Sequence, residues 1–346
     1  MKKIFFSLFA VAAVAACTKS EVAFEQPDAI GFQVVTGKMT KAAVSDNVYP
    51  ETLNMYVFAM TEVDTTPQGQ AEKTYAPNTK ADYLKNAEFA KVLQNLWGGW
   101  LNGEAYPYYW PNVKKLYFAG VSKSGNVNND AEPTYSDGTI TINGYQSGNG
   151  TAAKGDNDLM WFPTTDESYA KGTPSVPVVM KHACSWITVK MAGNEWTAGR
   201  YTITDIHIEG LTTKGDVALN DVADWTLSTN AADQNKTFTV YSNATGKALS
   251  TTATEVGFEN IVNNTVVLPE QVPGTLSITY EFESQAGETI EETVTGSLKF
   301  NGEAAWVAGT HYIYTVTITA SQILIAPTVQ TWTPSPTEGG HGVTVQ

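Results

Sequence analysis

Arginine is nearly missing from this chain. Arg200 is the only one in 346 residues, and 21 basic side chains face 35 acidic ones, for a formal net charge of −14. A surface of that sign repels phosphate backbones and anionic headgroups, which argues against nucleic acid as a partner. Without guanidinium forks the chain also lacks the group best suited to bidentate recognition of phosphate or carboxylate. Histidine is scarce as well: His182, His207, His311 and His341 form no HxxxH or HExxH spacing. His182-Ala183-Cys184 offers one pair of ligand types on a strand but no second pair, so no metal site is expected. Gly155-Asp156-Asn157-Asp158 opens like a calcium loop and then lacks the later Gly and closing Glu. No nucleophile elbow, P-loop or dinucleotide fingerprint occurs. Glu291 and Glu292 read more simply as hairpin surface than as a pair of glycosidase acids. No catalytic residue and no cofactor is expected, and the chain does not read as an enzyme.

Cysteine is limited to Cys17 and Cys184, and long apolar runs are missing. The longest, Ile4 to Ala16, is thirteen residues. A membrane span needs about 20. With Lys2 and Lys3 before it, the run fits a signal peptide over residues 1–16. Val14-Ala15-Ala16-Cys17 looks like a bacterial lipobox, in which small residues admit the peptidase and the next thiol receives diacylglycerol. Cleavage before Cys17 would make that residue the lipidation site, with 17–28 as a tether to the outer membrane. The three acyl chains of a mature lipoprotein exceed the roughly two signals that stable anchoring takes. Removing the leader takes two lysines and no acids, so the mature chain is still more acidic. Cys184 would then have no intrachain partner, and apolar burial must hold the fold.

What the chain has in quantity is period-2 alternation. Leu276, Ile278, Tyr280 and Phe282 fall on one parity between Ser, Thr and Glu. The run Tyr312 to Thr319, the run Val294 to Phe300 and the set Ile187, Val189 and Met191 behave alike. Ile30, Phe32 and Val34 mark a first strand directly after the tether. Between Tyr201 and Ile208 the parity slips, which predicts a β-bulge near Asp205. Ala81 to Trp97 fits a helix by its Tyr83, Leu84, Ala87 and Ala90 spacing and a strand by Phe89 to Leu93, so both remain open. Stretches 122–137, 147–158 and 164–177 are rich in turn residues. The last is taken as a domain boundary, giving an N-terminal β-sandwich over 29–170 and a C-terminal one over 171–346. Tyr106-Pro107-Tyr108-Tyr109-Trp110-Pro111 is the densest aromatic cluster. It reads either as rings filling a core beside strand-ending prolines or as a sugar-stacking platform.

Taken in order, several of these segments resemble the fimbrillin family. They are the lipobox, the first strand, Thr40-Lys41-Ala42-Ala43, Leu53 to Ala59, Tyr109-Trp110-Pro111 with Leu116 to Gly120, Asp158-Leu159-Met160, Val178 to Lys190, Ile203 to Gly215, Tyr312 to Ile318 and Gln330-Thr331-Trp332. The resemblance spans nearly the whole mature chain. It implies an all-β protein of two transthyretin-like Greek-key β-sandwich domains, displayed on the cell surface as a structural or adhesive subunit of type V pili. Its implied partners are other fimbrillin subunits, the membrane through the lipid anchor, and a host or bacterial surface ligand. In the family's stalk subunits a protease removes the first strand and a neighbour's strand refills the groove. Carried onto this chain, Ile30, Phe32 and Val34 would form the removable strand and Lys41-Ala42 the cut, with Lys38 second. Arginine is lacking before Arg200, so an arginine-only protease could not act there. Ile323, Leu324, Ile325, Val329 and Trp332 lie beyond the last clear strand. They would be a donor segment, or would complete the second sandwich's own sheet. The alternative function is a surface glycan-binding lipoprotein outside any pilus.

Overall fold

The structure, a computed structural model, describes residues 28–34, 53–64, 68, 75–93, 96–112, 115–124, 127, 131–147, 158–165, 168–255, 265–299, 304–320, 322–331 and 343–344. Among the described residues every regular element is a strand, apart from one 3-10 turn at Ala231–Asp233.

The first sheet is built from β1 (Gly31–Val34), β2 (Met55–Asp64), β3 (Tyr75–Leu93), β4 (Leu96–Leu101), β6 (Leu116–Ser122), β9 (Met160–Phe162), β10 (Val176–Val178) and β11 (Lys181–His182), with β5 (Glu104–Ala105) attached to β4. Its order is β10-β1-β4-β3-β2-β6-β9-β11. Four strand spacings separate β1 from β6, about 19 Å in a flat sheet. Yet the Phe32 and Phe118 ring centroids lie 5.1 Å apart. The sheet is therefore rolled over on itself, so that β1 and its neighbours face β6 and β9 across an apolar core. β2 is buried on both sides: Met55, Val57 and Ala59 enter this core while Phe58 and Met60 enter the next. That double burial explains why its sequence is a nearly continuous apolar run.

The segment that fitted both helix and strand is the hairpin β3–β4. Phe89, Ala90 and Lys91 pair with Gly99, Gly98 and Trp97, and β3 covers β2 along most of its length. Asn86 sits at φ 46 near a register shift, so a local bulge places Leu84 and Ala87 where a helical spacing would also have put them.

A second sheet packs on the other face of β2 and β6. It has the order β15-β14-β8-β7, from β7 (Thr134–Ser136), β8 (Thr139–Gln146), β14 (Lys214–Leu219) and β15 (Ala223–Leu227). Here the hydrogen bonding departs from the expected division at residue 170. β10 and β11 complete the first sheet, and the hairpin β14–β15 pairs with β8, so both sheets draw strands from beyond 171. The reason is coverage. β8 presents an open edge and Ile140, Ile142 and Tyr145 present an apolar face, which Val217, Leu219 and Trp225 close. Trp225 Nε1 also donates to the Ala183 carbonyl oxygen at 2.7 Å, tying the hairpin to the chain between β11 and β12 (Ser185–Gly193).

The remaining strands make the other sandwich. One sheet is β16-β13-β19-β20, from β13 (Tyr201–Leu211), β16 (Lys236–Ala248), β19 (Thr275–Glu283) and β20 (Thr289–Ser297). The other joins β12 to β17 (Thr254–Glu255), β18 (Thr265–Val267), β21 (Thr310–Ile318), β22 (Ile323–Thr331) and β23 (Val343–Thr344). The inner faces meet in one cluster that includes Ile187, Val189, Ile206, Ile278, Trp306 and Tyr314. The expected bulge is present: the register of β13 shifts between Ile203 and Asp205 against both neighbours. The C-terminal segment is itself a strand, β22, paired with β21 at nine positions.

Two predictions concern this framework. His311 stacks on Trp186, with ring centroids 3.5 Å apart, and its Nε2 lies 2.8 Å from the Thr188 hydroxyl. Burial, with a lesser push from Lys190, lowers its pKa to about 3. The unfolded chain takes up that proton near pH 6.5, so this residue's contribution is full above pH 6.5 and is lost as the pH falls toward 3. The loss is at most about 1.4 kcal/mol per pH unit. His311→Gln should flatten the pH dependence of the urea midpoint in that window, and an unchanged slope would remove His311 as its source. At Gly120 a Cβ atom would lie 2.2 Å from the Phe162 ring. Gly120→Val should cost about 1–3 kcal/mol in chemical denaturation through overpacking.

Candidate functional site

The first strand, Ile30 to Val34, occupies an interior place in the rolled sheet rather than an edge. On one side Phe32, Gln33 and Val34 run parallel to Val176, Pro177 and Val178. On the other, Gly31, Phe32 and Gln33 run antiparallel to Gly98, Trp97 and Leu96. Upstream, Ile30 N–H donates to the Tyr108 carbonyl at 2.7 Å, and Trp110 N–H donates to the Asp28 carbonyl at 2.9 Å. Asp28 also pairs with Lys171 at 2.8 Å, a half-exposed contact of little energetic weight.

Alternation sorts the side chains of this strand. Ile30, Phe32 and Val34 are buried and Gln33 faces out. Phe32 is fully enclosed. Its ring meets Phe89 edge-on at 4.9 Å, Phe118 edge-on at 5.1 Å and Phe162 at 6.0 Å. Burial of three such side chains is worth roughly 5–9 kcal/mol. That is a large part of the stability of an ordinary domain. Taking the strand away would uncover this pocket and orphan the backbone groups of β10 and β4 together.

The aromatic cluster belongs to the same site. Trp110 is buried and meets the Phe118 ring edge-on, while Tyr108 packs beside Phe89. Tyr106 and Tyr109 are exposed but differ in parity along an extended stretch, and Tyr109 has its carbonyl bonded by the Tyr83 hydroxyl at 2.7 Å. The segment thus walls the seat of the first strand and does not present a flat row of rings. Neither the first-strand alternation nor the aromatic run indicated that the two would meet. Backbone pairing at Asp28 and Ile30 brings them together.

Elsewhere the candidate chemistry is structural. His182 Nδ1 lies 2.6 Å from Asp158 Oδ2 in the interior, so both groups are engaged with each other. Burial pushes the Cys184 thiol up, with a further push from Asp158, which leaves it protonated and unreactive. Glu291 faces Glu281 across β20 and β19, whereas Glu292 accepts from the Tyr280 hydroxyl at 2.8 Å. Adjacent residues on a strand point to opposite faces, so these two carboxylates do not converge. Among the described residues no three His, Cys, Asp or Glu side chains gather as metal ligands. Asp158 is the one described member of the calcium-like loop. Cys17, Lys38, Lys41, Ala42 and Trp332 lie outside the described residues. Ile323, Ile325 and Val329 pack partly buried against the second core and Leu324 points outward.

Comparison with solved structures finds this architecture in several proteins. A candidate cell adhesion protein from Bacteroides uniformis aligns with a TM-score of 0.51 at 16% identity, covering 88% of this chain and 99% of its own. A fimbrial protein from Bacteroides vulgatus gives 0.51 at 15% identity, with 88% and 100% covered. At those identities the likeness concerns the fold. No curated protein matches the sequence at a significant level. The fimbrillin-like family model matches residues 37–332, which is most of the chain. The match supports a non-enzymatic fimbrial subunit of a cell-surface appendage. With two all-β sandwiches, an interior first strand and a family match of that length, this chain belongs to the fimbrillin-like family.

Proposed function

We propose that the protein is an exported, lipid-anchored fimbrial subunit that polymerises by accepting a neighbour's strand in the seat of its own first strand. The observation that carries this reading is the interior position of Ile30, Phe32 and Val34, with strands on both sides and aromatic rings beneath. An interior strand at the chain's beginning, followed within a few residues by Lys38 and Lys41, can be detached by one cut. Cleavage at Lys41-Ala42, or at Lys38, frees it, and the vacated groove offers hydrogen bonds and apolar contact that only another extended segment satisfies. The protease must accept lysine. Before the cut, acylated Cys17 holds the subunit at the outer membrane.

This chain is assigned the acceptor's part. Donating β22 would break its nine pairings with β21 and withdraw Ile323, Ile325 and Val329 from their own core. Burial of Trp110 argues against the glycan platform as the main activity.

Brief treatment of the purified mature chain with a lysine-cutting protease should yield a product beginning at Ala42 that, mixed with the other fimbrial subunits of the same cell, enters oligomers that survive SDS. A trimmed product that stays monomeric in that mixture at high concentration would refute assembly by strand exchange. On intact cells, mass spectrometry of the mature N-terminus should find Ala42 in fibres and acylated Cys17 in the membrane-held fraction. A Cys17→Ala chain should be released from the membrane.

A further inference from the structure

The seat of the first strand also selects its occupant. Resting on the acceptor role above, we infer that the groove requires a donor strand with an aromatic ring at its centre and apolar residues two positions either side.

The geometry of the ring pocket carries the argument. Phe32 occupies the middle of the strand, opposite Trp97 on one side and Val176 on the other. It is wholly enclosed, and Phe89 and Phe118 both approach its ring edge-on, at interplanar angles of 88° and 86°. An aliphatic side chain there would leave the lining rings without their contacts, and close-packed interiors relax only partly around such a gap. Ile30 and Val34 fill the flanking positions. The occupant's direction follows as well: parallel to 176–178 and antiparallel to 96–98.

The full mature chain, folded and then cut once at a protease site inserted within residues 35–52, tests this. Fluorescent peptide covering residues 27–36 should exchange into the nicked protein, and unlabelled peptides should compete for the groove. Phe32→Ala in the peptide should weaken competition at least a hundredfold, while Gln33→Ser should stay within threefold of the native sequence. An alanine peptide within threefold of native would overturn the inference. Failure of the native peptide itself to exchange would instead sink the detachable strand, and the inference with it.

Discussion

A ring enclosed by other rings near the chain's beginning organises half of this molecule. Phe32 holds the rolled first sheet shut, because Phe89, Phe118 and Phe162 come from strands that a flat sheet would keep far apart. The strand bearing it contributes hydrogen bonds in both directions, so removing it exposes backbone and apolar surface together. Surface lost in this way is restored at lowest cost by another strand, since an extended segment alone satisfies both kinds of demand. Under the proposed strand exchange, folding and assembly would draw on the same contacts.

The rest of the fold makes that seat rigid. β2 and β6 are buried on both faces, with the rolled core on one side and the hairpin β14–β15 closing the other. That hairpin leaves the second sandwich at Leu211, crosses to β8 and returns to β16, and Gln271 bonds the Thr212 backbone N–H and carbonyl at the crossing. The two sandwiches therefore share strands, hydrogen bonds and a core that includes Val266 and Leu268 from beyond the hairpin.

Buried polar groups follow the same logic. The Asp158–His182 pair and the Trp306–Tyr314 bond are internal contacts, at 2.6 Å and 2.9 Å. Their residue types attracted attention in the sequence because His, Cys and Asp are also the residues of catalysis. Burial decides between those uses, and burial is a tertiary quantity.

Alternation of apolar and polar residues was sufficient by itself to establish an all-β chain, the first strand at Ile30 to Val34 and the bulge at Asp205. Side-chain direction along a strand is a local property with period two, and a slip in parity has few other causes. Three matters depended on the tertiary structure. The segment 81–97 became a hairpin because β2 needed a partner, which no local spacing records. The sheets ignored the turn-rich stretch near 170, since hydrogen bonds between β8 and β14 join residues far apart in the chain. The meeting of the first strand with the Tyr108–Trp110 segment came from backbone pairing at Asp28 and Ile30 between residues far apart in the chain.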